Sequence, residues 1–155
     1  MCFCLLYRLY LTRIGQWRHE NQLRSLRQES KHPHVQFQTS LKDCISFGDD
    51  QFRVVIVPYL EDNFAYIVLE VATSKYILVD PGDFDAIHEA LELLQIPAVG
   101  IQAIFTTHKH WDHAGHNYRF ALTYPGVRII AARNEGVMNC NELMDDAQVK
   151  EFFDG

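Results

Sequence analysis

Three histidines and an aspartate, His108, His110, Asp112 and His113, crowd into the short run Thr107-His108-Lys109-His110-Trp111-Asp112-His113. The apolar stretch Ile101 to Phe105 stands just upstream. Its length and composition predict a buried strand. The cluster therefore sits on the loop leaving a strand, where ligands are mounted on a rigid scaffold. At an extended strand end, residues two apart face the same side, so His108 and His110 can reach one metal ion together. Asp112 and His113 follow a turn and can face a second ion just beyond. Neutral imidazoles and a carboxylate suit zinc, and also iron or manganese. A lone histidine on such a loop reads as structural; a cluster this dense, in this strand–loop context, reads as metal ligands.

The flanking pattern predicts the scaffold. Phe52 to Val57, Phe64 to Val71 and Tyr76 to Val79 have strand length and β-branched or aromatic composition. Short polar breaks separate them, which predicts an antiparallel meander. The third run enters Asp80-Pro81-Gly82-Asp83, where Gly82 permits a tight turn and Asp83 can cap a helix. A helix follows, with Ile87, Ala90, Leu91 and Leu94 at helical spacing. Tyr118 to Leu122 predicts a short helix after the histidine loop, and Val127 to Ala131 another strand. In Met144-Asp145-Asp146-Ala147-Gln148 the pattern predicts a helix start. Helix and strand alternate, so a layered α/β arrangement is expected.

Charge is divided unevenly. Residues 1–42 carry seven Lys/Arg and two Asp/Glu, a net of +5, whereas residues 43–155 carry seven and eighteen, a net of −11. An acidic domain lacks the clustered cations that nucleic-acid phosphates require, so no nucleic-acid partner is expected. It does accommodate divalent cations, whose charge offsets nearby carboxylates. Apolar residues make up 48% of the chain and charged ones 22%, the balance of a soluble protein with a core.

The basic part divides further. Residues 1–27 form an apolar, arginine-bearing arm. Met1 to Ile14 is too short and too charged to span a bilayer. Arg8, Arg13 and Arg18 precede the first acid, Glu20, a pattern resembling a mitochondrial targeting arm or a helix lying on a membrane surface. Without such targeting, the expected location is cytoplasmic. Residues 28–51 read as a linker, polar and aperiodic, and residues 52–155 as the domain. Cys2, Cys4, Cys44 and Cys140 fit no zinc-knuckle spacing and read as reduced thiols.

His108-Lys109-His110-Trp111-Asp112-His113 resembles the HxHxDH signature of the metallo-β-lactamase superfamily. Leu78 to Gly82 resembles that family's acidic turn after an early strand, and Pro58 to Tyr66 its entry to the second strand. The form Thr107 to His113 is similar to that of the glyoxalase II branch. The resemblance covers residues 52–155 and implies a metallo-β-lactamase fold, an αββα sandwich of the α/β class, with only its N-terminal half present. It implies that His108 and His110 hold the first zinc of a two-zinc site, and Asp112 and His113 the second, with Asp112 catalytic. It also implies that Asp80 stands behind the ligands and holds the histidine loop by hydrogen bonds.

The implied activity is hydrolysis of acyl-glutathione thioesters such as S-lactoylglutathione by a metal-activated hydroxide. A non-catalytic, membrane-associated interaction module is the expectation that competes with it, as is another branch of the superfamily, such as an iron-dependent persulfide dioxygenase. The family draws further ligands from later motifs, and no histidine follows His116. On that ground the chain is expected to turn over slowly, with Val127 to Ala131 lacking strand partners. His116, in place of a family glycine, is expected at the surface.

Overall fold

The computed structural model describes Asn21, Gln38, residues 40–60 and residues 62–153. The predicted arm of residues 1–27 lies outside the described residues, Asn21 excepted. Among the described residues no helix is long and apolar enough to cross a membrane.

The described residues build a seven-stranded mixed sheet with strands in sequence order. Strands β1 (Ile45–Phe47), β2 (Phe52–Tyr59), β3 (Asn63–Glu70) and β4 (Tyr76–Val79) run antiparallel. Short connections permit this, because antiparallel neighbours need only a tight turn. Strands β5 (Ile101–Thr106), β6 (Arg128–Ala132) and β7 (Glu142–Met144) continue the sheet in parallel from β4. The first two of these parallel joins need longer crossovers. Helix α1 (Phe84–Leu93) supplies one, and α2 (Trp111–Ala114) with α3 (Asn117–Thr123) the next.

Local chemistry explains the helix boundaries. The Asp83 carboxylate accepts from the Asp85 and Ala86 amides, satisfying two donors that the first turn of α1 leaves open. Along α1, Phe84, Ala86, Ile87, Ala90 and Leu91 are buried. They lie in one core cluster with Val55, Ile67, Leu78, Ile104 and Ile129 from the sheet. The Phe84 and Phe120 rings stand 4.7 Å apart, so α1 and α3 share one face. On the other face Val54, Ile56, Val68, Ile77 and Val79 are half-buried. There Phe152 meets Phe105 edge-on at 5.2 Å.

The antiparallel meander, the helix from residue 84 and the layered α/β class agree with the sequence-based expectations. Three details differ. A strand, β1, and the short helical turn Leu41–Asp43 fall inside the stretch read as a linker; β1 is only three residues long and outward-facing, too short for a period to register. The expected helix start at Asp145 is a turn, and Asp145 instead pairs with Arg133 at 2.7 Å. Nor does Val127 to Ala131 lack partners: β6 is bonded to both β5 and β7, with Ile129 and Ile130 fully buried. Cys44 and Cys140 are free thiols.

Candidate metal centre

Where β5 ends, the chain leaves the sheet at Thr106 and the histidine loop begins. Beside it, β4 ends at Val79 and Asp80 turns sharply, with φ at +48°. Parallel neighbours end on the same side, so both loops emerge over one rim, where ligands of open parallel sheets gather. Asp80 is buried. Its carboxylate accepts from the Thr107 amide and the Thr107 hydroxyl, both at 2.7 Å.

The same hydroxyl lies 2.9 Å from His108 Nδ1. Because its single proton goes to the carboxylate, the His108 Nδ1–H donates to the hydroxyl. His108 Nε2 is then the lone-pair nitrogen. An imidazole fixed in this way by an outer carboxylate presents one defined nitrogen to a ligand. Burial, and next the neighbouring His113 and His110, lower the His108 pKa; its neutral form is therefore favoured.

The other predicted residues stand close by. His110 Nδ1 is 3.1 Å from His108 Nε2, and the His108 and His113 rings are 4.2 Å apart. His113 Nε2 is 3.4 Å from Asp112 Oδ2, and its Nδ1 is 3.1 Å from Asp80 Oδ2. His113 Nδ1 is buried and makes no well-aligned hydrogen bond. All five predicted residues, Asp80, His108, His110, Asp112 and His113, thus gather at one rim. Their donors point at each other: among the described residues no group of three or more His, Cys, Asp or Glu converges to hold an ion. In donor chemistry, three imidazoles and a carboxylate suit a divalent metal.

Three further residues join the site: Tyr59 and Asn63, noted in the sequence only within the Pro58 to Tyr66 resemblance, and Gly82, noted only as permitting a tight turn. The Tyr59 hydroxyl, at the end of β2, donates to the Asp112 carbonyl at 2.5 Å and lies 3.1 Å from the Asp80 carbonyl. Burial, and next the Asp80 and Asp112 carboxylates, push its pKa far above the usual phenol range, so it stays a donor. Asn63, at the start of β3, donates from Nδ2 to Asp112 Oδ2 at 3.0 Å. Gly82 lets the Asp80 turn touch the start of α2: a Cβ there would lie 1.9 Å from the Asp112 carbonyl oxygen. Beyond the Pro58 to Tyr66 resemblance, nothing local marks the tyrosine and the asparagine as contacts of Asp112.

His116 corrects an expectation. It is buried, with 1% of its surface exposed. Its Nδ1 accepts from the Phe84 amide at 2.7 Å. The Phe84 amide is a helix-start donor with no partner inside α1, so His116 ties the starts of α1 and α3 together. An imidazole, unlike glycine, can fill and satisfy that buried position.

A cavity of about 340 Å³ opens beside Asp112 and His113, bounded also by Asn63, Phe64 and Tyr66. Its volume is in the range of small-molecule sites.

The family model of the metallo-beta-lactamase superfamily matches residues 60–152, more than half of the 155-residue chain. The chain belongs to the metallo-β-lactamase superfamily. Membership implies divalent metal binding without fixing the metal. A cytoplasmic hydroxyacylglutathione hydrolase of Arabidopsis thaliana is 30% identical over 94 residues, 61% of this chain and 35% of that protein. A hydroxyacylglutathione hydrolase-like protein of Homo sapiens is 36% identical over 80 residues, 52% of this chain and 27% of that protein. The chain thus spans roughly a third of the length of these curated relatives, 35% and 27% respectively. Among solved structures, the DIM-1 metallo-beta-lactamase aligns with a TM-score of 0.46 at 10% identity, covering 65% of this chain and 50% of that one.

Proposed function

We propose that this protein is a metal-dependent hydrolase of the glyoxalase II type, acting on acyl-glutathione thioesters. The observation that carries the reading is the gathering of His108, His110, Asp112 and His113 at the rim, with Asp80 bonded to the base of their loop. The names of the relatives, hydroxyacylglutathione hydrolase and its like, support the substrate class.

In this reading His108 and His110 would hold one zinc and Asp112 and His113 would hold a second. The chemistry that such ions supply when bound is a water activated near neutral pH and polarisation of the carbonyl under attack. The chain's own residues prepare for this. Asp80, through Thr107, keeps His108 in the tautomer whose Nε2 carries the lone pair that a metal would take. Asn63 restrains the Asp112 carboxylate. Phe64 and Tyr66 give the neighbouring cavity an aromatic wall against which an acyl group can rest. A thiolate leaves readily, so no strong acid is required near its sulfur.

The test is zinc binding and hydrolysis of S-lactoylglutathione by the purified protein. We expect zinc to bind weakly, His110→Ala to abolish that binding, and turnover, slow in this chain, to disappear on Asp112→Ala or on chelation. Zinc retained undiminished by His110→Ala would reject the ligand assignment. Zinc binding without turnover would favour the non-catalytic reading.

A further inference from the structure

Helix α2 is a single turn of four residues, Trp111–Ala114. A helix this short does not hold its own shape, because nucleation costs more than so few hydrogen bonds return. Something outside it must fix Asp112. Two side chains that hydrogen-bond Asp112 from elsewhere in the chain are the last register pair of the β2–β3 hairpin, Tyr59 opposite Asn63. They grip it at different points. Tyr59, 3% exposed, donates to its main-chain carbonyl at 2.5 Å. Asn63 donates to its carboxylate at 3.0 Å.

The seam at Tyr59 is tight. Its hydroxyl also lies 3.1 Å from the Asp80 carbonyl, so one proton faces two main-chain oxygens from separate loops. Without it, the Asp80 carbonyl would keep the Gly82 amide, which donates to it at 2.8 Å, but the Tyr59 hydrogen bond to the Asp112 carbonyl would be lost. A Cβ on Gly82 would stand 2.9 Å from the same hydroxyl, which leaves no room for an alternative side chain. The hairpin tip itself is bent, with Leu60 at φ +54°. That turn brings Tyr59 and Asn63 to the rim together.

We propose that Tyr59 and Asn63 are paired positioning residues. The β2–β3 hairpin tip clamps Asp112 by main chain and carboxylate, and this clamp sets metal affinity at the site. The inference rests on the reading of Asp112 as a metal-binding residue under the proposed function. Residues that orient ligands in this way typically alter metal affinity about 10–100-fold when replaced.

A matched control exists at the opposite end of the sheet. Tyr76 is also buried and also donates to a main-chain oxygen, that of Ala98, at 2.7 Å. Tyr59→Phe, Asn63→Leu and Tyr76→Phe should each be measured for zinc affinity by chelator competition. Thermal melting and amide hydrogen exchange of the metal-free protein complete the set. We expect Tyr59→Phe and Asn63→Leu to weaken zinc binding about tenfold or more. Tyr59→Phe should also speed exchange across residues 111–114. Tyr76→Phe should lower the melting temperature while leaving zinc affinity and that exchange unchanged.

Unaltered zinc affinity in both rim variants would overturn the proposal, as would an equal loss in Tyr76→Phe. Should Tyr59→Phe fail to fold, Asn63→Leu at its half-buried position decides. If the wild-type protein binds no zinc, the metal reading falls on its own. Exchange across residues 111–114 then judges the clamp: faster in Tyr59→Phe alone sustains it, and no difference from Tyr76→Phe ends it.

Discussion

The helix-covered face of the sheet and the rim above its parallel strands are built on opposite principles. Under α1 and α3 the contacts are apolar and fully buried: Ile67, Leu78, Ile104 and Ile129 have no exposed surface. Such packing is tolerant of chemistry and sensitive to volume. At the rim the backbone is strained at Asp80, polar groups are buried, and hydrogen bonds fix each part. There, individual atoms matter more than volume. Stability is concentrated in the first region and chemical specificity in the second.

Removing volume from the core gives the largest expected effect. Ile67 is wholly buried between Val55 and Leu78 on neighbouring strands. Ile67→Ala should destabilise the fold by about 2–5 kcal/mol, read by denaturant unfolding. Zinc affinity of the folded fraction should stay as it was; a parallel loss would erase the distinction between the two regions.

A smaller cost, at the opposite region, should come from Gly82→Ala. The added carbon would lie 1.9 Å from the Asp112 carbonyl oxygen and 2.6 Å from its carbon, and backbone cannot step aside as a flexible side chain can. Overpacking of this kind costs about 1–3 kcal/mol. Here the sharper readout is zinc affinity, which should fall by more than the stability loss accounts for. Normal affinity with reduced stability would place Gly82 with the core rather than the rim.

The smallest effect belongs to the sheet edge, which is neither. Glu142 on β7 accepts from Arg128 at 2.9 Å and pairs with Lys150 at 2.6 Å. The Arg128 hydrogen bond first, then that of Lys150, holds the Glu142 carboxyl down to about 2 from an ordinary 4.5. A depressed carboxyl stabilises the fold above its unfolded pKa, and that contribution is lost as pH falls from 4.5 toward 2. Solvent reaches the group, so screening limits the contribution to about 1 kcal/mol or less. Glu142→Gln should flatten the acid side of the stability profile by that amount and leave zinc binding at neutral pH unchanged. An unchanged acid limb would show that the pair contributes nothing.

Much of the scaffold was legible in the sequence. The runs at 52–57, 64–71 and 76–79 carry strand composition, and Asp83 caps the helix whose apolar spacing announces it. The histidine cluster stood out because its members are neighbours in the chain. Other parts were not legible. His116 looked like a surface residue because nothing in Ala114-Gly115-His116-Asn117 signals burial; its partner, Phe84, lies 32 positions away. β6 seemed to lack neighbours because β7, only three residues long, has no period of its own to announce it.

By itself, then, the sequence determined the α/β class, the order of β2 to β6 with α1 and α3 between them, and the cluster His108, His110, Asp112 and His113. Each of these follows from interactions between near neighbours: alternation along a strand, a capped first turn, histidines two or three residues apart. The tertiary structure decided what holds that cluster. Asp80 reaches Thr107 across 27 positions, Asn63 reaches Asp112 across 49, and Tyr59 reaches it across 53. A hydrogen bond needs its partners within about 3 Å of each other. Which distant residues come that close depends on strand register and on where each strand ends, and both are fixed when the sheet assembles.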